Sequence, residues 1–487
     1  MIEILFVLAV VVLTFLNASW GLLLLAGGFV LADQRLAHWH ISAPGLPLYA
    51  TELALLVFVL RWGLPFLYRH TNRGSIKDAA PWLVVGLFGL QSVVRGFAAT
   101  YPAVEVIRDS ALFYYCLFAL WAGSVASLEF LKRAAIVLGS LLAFRSLFIL
   151  ASFFTATPLG GQPAAMSMYL AIGVLALAAR EIVVKSQWQA QILPSFWVAL
   201  IFLLRVRTAW LALALSSAVA CIGAWRRGEW RPAAASLGKV ALAGLVMSYG
   251  ISLLPGVSVT WKDLTSEIHS LGSGKDSPNV LTRFYFWRDA VEQVLGTGLA
   301  RERPATFKML TGPDNGMGES GVARNYARNA KELEGLPLVA PEVPLKLQAP
   351  GVAVIELPEL REPGWVRGLL GIPFGYPFMP PRVSWLITKR FDPHNSFVAW
   401  FYRMGFLGLM AIFWLLFSEL HLAWRRLRGP DLSAMHRALL VASFLAVLYC
   451  LIHAQTDVTL ENAYKGAFFW ISLGVMRFLR LRPVETP

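Results

Sequence analysis

DPHNSFVAWFYRMGFLGLM, residues Asp392 to Met410, sets a polar turn directly ahead of a long apolar run. About twenty apolar residues are enough to cross a bilayer as a helix. His394 and Asn395 therefore stand where a soluble loop enters the membrane. Gly405 and Gly408, three residues apart, permit close helix contact or a local bend. The plainest reading of His394 is an interfacial side chain that anchors a helix end. What surrounds it in the chain decides whether it does more.

The 487 residues are 57% hydrophobic and only 15% charged, with a mean hydropathy of +0.59. That composition belongs to a polytopic membrane protein and excludes a soluble globular domain. The formal net charge of +14 would suggest nucleic acid in a soluble protein. Here cytoplasmic positive charge accounts for it, and no nucleic-acid partner is expected. Seventeen basic residues fall in short segments: Arg69, Arg73, Lys77; Lys132, Arg133; Arg180, Lys185; Arg226, Arg227, Arg231; Arg425, Arg426, Arg428, Arg437; and Arg477, Arg480, Arg482. The long segment 256–393 holds 16 Lys/Arg against 15 Asp/Glu and is nearly neutral. Cys116, Cys221 and Cys450 lie in apolar runs, with neither zinc-site nor disulfide-framework spacing, and read as inert thiols. The N-terminus, MIEILFVLAVVVL, lacks a basic leader and reads as a retained helix.

Apolar runs occupy about 2–31, 47–66, 80–98, 108–128, 134–154, 165–180, 190–204, 208–225, 235–254, 396–420, 438–454 and 466–479. The expected class is an all-α polytopic membrane protein of about 12 transmembrane helices. The first run is too long for one upright helix and is broken at Asn17, Ser19 and Gly21. Counted once, it leaves both termini cytoplasmic; counted twice, it moves the N-terminus outside. Alternate threading gathers every basic segment on one side. Three parts follow: N-terminal transmembrane helices over 1–255, a long outer loop over 256–393, and C-terminal transmembrane helices over 394–487. Within the loop, Asp276 to Gly298 reads as a helix capped by Asp276, Ser277 or Asn279. Its apolar stripe is Trp287, Val291 and Leu295. Residues 336–381 carry ten prolines and are expected to be irregular and partly extended.

Three basic features meet on the outer side. Arg205 and Arg207 lie at a tight turn between two apolar runs, Arg283 and Arg288 on the loop helix, and His394 at the end of the loop. Arginine in hydrocarbon costs about 3 kcal/mol at the bilayer centre, so the first pair is expected to face a polar cavity or the interface. Each has an ordinary reading: snorkelling at a helix end for Arg205 and Arg207, a solvated helix face for Arg288. Together, guanidinium groups and an imidazole facing a lipid-accessible cavity suggest handling of a phosphorylated lipid. Guanidinium binds phosphate oxygens as a fork and stays charged. A diphosphate leaving group needs that compensation as its bond breaks, and a near-neutral imidazole takes a proton from an attacking hydroxyl.

Three stretches resemble the O-antigen ligase family, whose relatives include bacterial polysaccharide polymerases and some protein O-oligosaccharyltransferases. They are Arg207-Thr208-Ala209-Trp210-Leu211; Arg283-x3-Trp287 followed by Gly296-x-Gly298; and His394-Asn395 followed by Gly405-x2-Gly408. The likeness covers roughly 200–475. It implies a GT-C-like fold in the bacterial inner membrane and a metal-independent, cofactor-free, inverting glycan transfer at the periplasmic face. The implied donor is a glycan on undecaprenyl diphosphate. The implied acceptor is a hydroxyl on a glycan, a lipid or a protein. By the same resemblance, Arg207 and Arg283 bind the diphosphate, His394 orients or deprotonates the acceptor, and Asn395 fixes the turn. Arg288 is a weaker match to the pattern, and Arg205 is not separable from Arg207. Residues 300–390 are longer and richer in proline than the family's usual spacer, and no proline precedes Gly296.

Polymerase and ligase share these motifs and differ in acceptor, so an O-antigen or exopolysaccharide polymerase is the alternative within the family. A metal-dependent polyprenyl-phosphate glycosyltransferase needs paired acids in an early outer loop, where 32–46 offers Asp33 alone. A lipid-linked glycan transporter would favour ionisable groups deep in several helices or a repeat across the halves. His453, Gln455, Asp457 and Glu461 in the last outer loop read as interfacial polar residues, and His38, Trp39 and His40 as an interfacial belt.

Overall fold

The computed structural model describes residues 2–37, 39–43, 46–65, 76–155, 162–184, 191–225, 230–272, 278–297, 306–310, 352–356, 360, 362–376, 378, 395–429, 432–455, 459–460 and 462–482. The elements run α1 (Ile2–Leu16), α2 (Ala18–Ala37), β1 (His40–Ala43), β2 (Leu46–Tyr49), α3 (Ala50–Phe58, continued by a π turn over Val59–Gly63), α4 (Ile76–Ala98), α5 (Ala103–Asp109), α6 (Ala111–Tyr114), α7 (Leu117–Val125) and α8 (Leu128–Ser152). There follow α9 (Pro163–Val184), α10 (Ile192–Leu203), α11 (Arg207–Trp225), α12 (Trp230–Ser252), α13 (Trp261–Gly272) and α14 (Pro278–Leu295). Last come β3 (Thr306–Leu310), β4 (Val352–Glu356), α15 (Gly364–Leu370), α16 (Ser396–Arg428), α17 (Ala434–His453) and α18 (Ala463–Leu481). Two small antiparallel strand pairs, β1 with β2 and β3 with β4, are the sheets among the described residues.

Among the described residues seven helices are long and apolar enough to cross a membrane: α4, α8, α9, α11, α12, α16 and α17. Helices α1, α2 and α10 are apolar but shorter, and α18 carries Lys465, Arg477 and Arg480. The chain is thus an all-α membrane protein in its broad class. The first apolar run is two helices. Asn17 ends α1 and caps α2, its Oδ1 accepting from the N–H groups of Ser19 (3.0 Å) and Trp20 (3.3 Å). The two helices fold back on each other: a Cβ on Gly28 would lie 2.7 Å from the Phe6 ring, and Phe6 meets Trp39 at 5.3 Å. This is the twice-counted reading of that run.

The core lies where α9 packs along α17 and α18 along α7. Met166, Met168, Leu170, Leu445 and Val447 are among its fully enclosed side chains. Gly474 lets α18 reach α7, since a Cβ there would meet the Ala119 carbonyl oxygen at 2.2 Å. At one end of the bundle Glu419 of α16 is 2% exposed. It accepts from Trp82 of α4 (3.0 Å) and from Arg477 and Arg480 of α18. A buried carboxylate is tolerated there because cations and an N–H surround it.

At the other end α16 is broken. Gly405 has φ 66°, a left-handed value inside the helix. The break opens a seat for residues 371–376, which enter it straight after α15. The Ile372 N–H donates to the Tyr402 carbonyl at 2.7 Å, and the Ser92 hydroxyl of α4 donates to the Arg403 carbonyl at 2.9 Å. The described part of the proline-rich segment, 352–356, 360, 362–376 and 378, is therefore more ordered than its composition suggests. It holds a strand and a helix, and 371–376 is packed and buried. The reason lies outside the segment, in the groups that grip it. Arg95 donates to the Leu370 and Gly371 carbonyls (2.9 and 3.0 Å) and pairs with Glu362. Arg403 donates to the Tyr376 carbonyl (2.7 Å) and pairs with Asp109 (2.7 Å), which also accepts from the Gly375 N–H (2.8 Å).

A Cβ at position 405 would lie 2.4 Å from Gly371 N and from the Leu369 carbonyl group. Gly405→Ala is expected to destabilise the protein by about 2–4 kcal/mol through backbone strain and overlap. Gly250→Ala, with nothing within 4 Å, is expected to leave the melting temperature within about a degree of the parent. Thermal unfolding in detergent reads both.

Candidate functional site

The turn ahead of α16 is built from both sides. Asn395 is the N-cap of α16: its Oδ1 accepts from Phe397 N (2.9 Å) and Val398 N (3.2 Å). This satisfies two of the donors that a helix start leaves open. Its Nδ2 donates to the Gln455 carbonyl at 2.7 Å. Ser396, fully buried, donates its N–H to the Ala454 carbonyl (3.0 Å). Its hydroxyl oxygen accepts from Thr459 N (3.0 Å) and Leu460 N (3.1 Å). Thr459 in turn touches the buried His453 ring, Oγ1 to Nδ1 at 3.1 Å. The start of α16 and the exit of α17 are thus tied residue to residue. Ser396 had no special standing in the sequence; a serine after an N-cap asparagine carries no signal of two accepted backbone bonds from a distant loop.

Arg207 opens α11, and Leu204 to Val206 form the whole turn from α10. Arg205 in that turn has φ 58°, a left-handed value uncommon for a residue with a Cβ. Arg205 is exposed and Arg207 half-buried. Arg205 also reaches the start of α13. The Asp263 carboxyl is held below its usual range first by hydrogen bonds from Thr260 and further by the Arg205 charge. A cleft of about 400 Å³ runs down from this turn between α11 and α17. Thr208, Leu211 and Leu215 line one wall, and Leu451, Ile452 and Gln455 the other. Gln455 is the residue whose carbonyl holds Asn395. The cleft thus adjoins the arginine turn in sequence, through Thr208, and is linked to the capped turn through Gln455; its lining is mainly apolar, a character suited to a hydrocarbon chain.

The α14 helix approaches from the loop. Pro278 at its first position and the left-handed Gly296 (φ 67°) after its end bound it. Asp276 and Ser277, two of the expected caps, lie outside the described residues. Its buried face is not the expected one. Phe286, Asp289, Ala290, Gln293 and Val294 are buried, whereas Val291 and Leu295 are 37% and 44% exposed. The sequence offers two helical stripes one residue apart. The polar one wins because its groups find partners: Gln293 Oε1 accepts from the Tyr402 hydroxyl of α16 at 3.0 Å. Gly296 also makes room for the buried Arg367 of α15, whose Nη2 lies 2.5 Å from where a Cβ would stand. Burial lowers the Arg367 pKa from its ordinary value, although Tyr376, Glu362 and Tyr402 oppose the shift.

Of the expected site residues, Arg207 directly precedes the cleft-lining Thr208, Arg205 lies in the turn before it, and Asn395 is bonded to the carbonyl of the cleft-lining Gln455. Arg288 is exposed and bonded to Glu292 of its own helix at 2.7 Å, which is the ordinary helix-face arrangement. His394, Gly298, Asp457 and Glu461 lie outside the described residues, as does His38 of the expected belt. Arg283 lies on α14, and its side chain is also outside the described residues. Lys465, 2% exposed in the first turn of α18, is a buried cation beside this end of the bundle. The three cysteines are free, and Cys450 is buried.

A scan against protein-family models finds no matching family. No curated protein matches the chain.

Asn395→Ala is expected to cost about 1–2 kcal/mol of stability and to speed hydrogen exchange at the Phe397 and Val398 amides. Asn395→Asp keeps the accepting oxygen. It is expected to restore protection at those two amides while leaving 454–460 looser than in the parent. Hydrogen–deuterium exchange resolved by mass spectrometry separates the two variants.

Proposed function

We propose that this protein transfers a glycan from undecaprenyl diphosphate to an acceptor hydroxyl, in the manner of an O-antigen ligase. On this reading it is a GT-C-like bacterial inner-membrane enzyme of about twelve spans, with its site at the periplasmic face. The observation that carries the reading is the apolar cleft shared by α11 and α17. Its lining begins at Thr208, directly after the arginine turn, and includes Gln455, whose carbonyl holds Asn395. The polyprenyl tail lies in that groove, and the diphosphate meets the guanidinium groups.

The chemistry follows from the residue types. The acceptor oxygen attacks the anomeric carbon on the face opposite the diphosphate, so the configuration inverts. His394 takes the hydroxyl proton as the new bond forms. The bond between the anomeric carbon and the diphosphate oxygen breaks, and the electron pair leaves with the diphosphate. Arg207 and Arg283 meet the growing negative charge with forked, permanently charged donors. Asn395 and Ser396 act on His394 through the backbone: they fix where the helix begins and so where the preceding imidazole stands. Arg205 lies within reach as a second contact to the head group, and Arg288 remains a more distant one.

The test uses purified protein with undecaprenyl-diphosphate-linked glycan, candidate acceptors and excess EDTA. The parent is expected to transfer glycan. His394→Ala, Arg207→Ala and Arg283→Ala are each expected to lose about 100-fold or more in rate, the scale for removing one transition-state contact. One addition per acceptor marks a ligase, and a ladder marks a polymerase. Undiminished turnover by the His394 variant would return that residue to a helix-end anchor. Movement of intact donor across liposomes by protein that transfers nothing would favour a transporter.

A further inference from the structure

A second cluster of ionisable groups lies away from the arginine turn, where α2, α8, α9 and α18 come together. Asp33, 2% exposed near the end of α2, has a left-handed φ of 42°. Its Oδ2 accepts from Gln162 N, just ahead of α9, at 2.9 Å. The Gln162 side chain accepts from the Tyr464 hydroxyl of α18, and the Tyr464 carbonyl accepts from the Tyr169 hydroxyl at 2.7 Å. The membrane-crossing α8 packs on α2, where a Cβ on Gly27 would meet Leu141 at 2.9 Å, and Arg145 stands on the same face of α8 one turn further on, seven residues before its end at Ser152. At the helical rise this is about 10 Å from the helix end.

Arg145 is an unusual residue for that position. Its Nε is sealed off without a hydrogen-bond partner, while the side chain as a whole is half-buried. Asp33 and Arg35 act on it electrostatically with opposite signs. Its neighbours Phe144, Leu147 and Phe148 are 54%, 58% and 39% exposed on the apolar outside of α8. The guanidinium thus stands at the margin between a lipid-facing surface and a polar cluster. Among the described residues there, two guanidinium groups stand against one carboxylate. Arginine at such depth marks a ligand path or a partner charge, and its fork matches phosphate oxygens.

We propose that Arg145, with Arg35 and against Asp33, binds the phosphate of an anionic membrane amphiphile that enters sideways along α8. The site is independent of the transfer reading, because it needs no reaction at the arginine turn. The phosphate has two sources, a bulk phospholipid or a phosphorylated glycolipid.

The experiment uses the full chain in neutral detergent, with dioleoyl-phosphatidylglycerol, dioleoyl-phosphatidylcholine and monophosphoryl lipid A as probes. Native mass spectrometry reads lipid retention. The parent is expected to retain at least one anionic probe about tenfold more than phosphatidylcholine. Arg145→Gln is expected to lose that preference, whereas Arg133→Gln, at the other end of the same helix, keeps it. Asp33→Asn keeps an oxygen for Gln162 N and removes the opposing charge, so retention is expected to rise severalfold. Arg145→Lys is expected to bind at an intermediate level. Preference for phosphatidylglycerol assigns the site to phospholipid, and preference for lipid A alone assigns it to a glycolipid. Equal retention of all three probes by the parent would overturn the proposal. So would anionic retention unchanged in a folded Arg145→Gln, or an Asp33→Asn protein that is less stable without binding more lipid.

Discussion

A helix that breaks inside a membrane leaves carbonyl groups with no water to take them, so something else must. That constraint governs α16. Its left-handed Gly405 frees the Tyr402 and Arg403 carbonyls, and they are met by Ile372 N and the Ser92 hydroxyl. One donor comes from the long loop and the other from α4. The break therefore recruits 371–376 as a fixed part of the bundle, and Arg95 and Arg403 hold it there from either side. The first three turns of α16 are in this way set apart from the rest of the helix. They are positioned by the loop segment below and by the 454–460 connection above.

That arrangement gives the turn at 395–396 a rigid frame. Asn395 and Ser396 together make at least seven hydrogen bonds, counting those to their own helix. A site on such a frame keeps its geometry when a substrate arrives, which is the requirement for electrostatic stabilisation without reorganisation. Gln455, whose carbonyl holds Asn395, also lines the apolar cleft. The Glu419 cluster closes the opposite end of the bundle with buried charges that partner one another.

Much of this was legible in the chain. Seven of the twelve apolar runs hold helices long enough to cross a membrane, the pair Gly405 and Gly408 marked the bend, and Asn395 before an apolar run marked a helix start. The tight turn at Arg205 and Arg207 was plain from two apolar runs with almost nothing between them. Long-range pairing was not legible. Periodicity offered Trp287, Val291 and Leu295 as the buried stripe of α14, yet Asp289 and Gln293 are buried in place of Val291 and Leu295 because partners elsewhere accept them. Proline content argued for irregular, partly extended chain over 336–381, yet Arg95, Arg403 and Asp109 grip residues 370–376. Single-sequence patterns report local preference, and these features are decided by residues hundreds of positions away.

The central claim is that a polyprenyl diphosphate lies in the groove between α11 and α17 with its head group at the arginine turn. A photoreactive polyprenyl diphosphate, activated in the presence of the purified protein and mapped by mass spectrometry, tests it directly. The account predicts tail adducts on Leu211, Leu215, Leu451 and Ile452, suppressed by unlabelled undecaprenyl diphosphate. Competed adducts confined to the Glu419 end of the bundle, or to the outer face of α8, would contradict it.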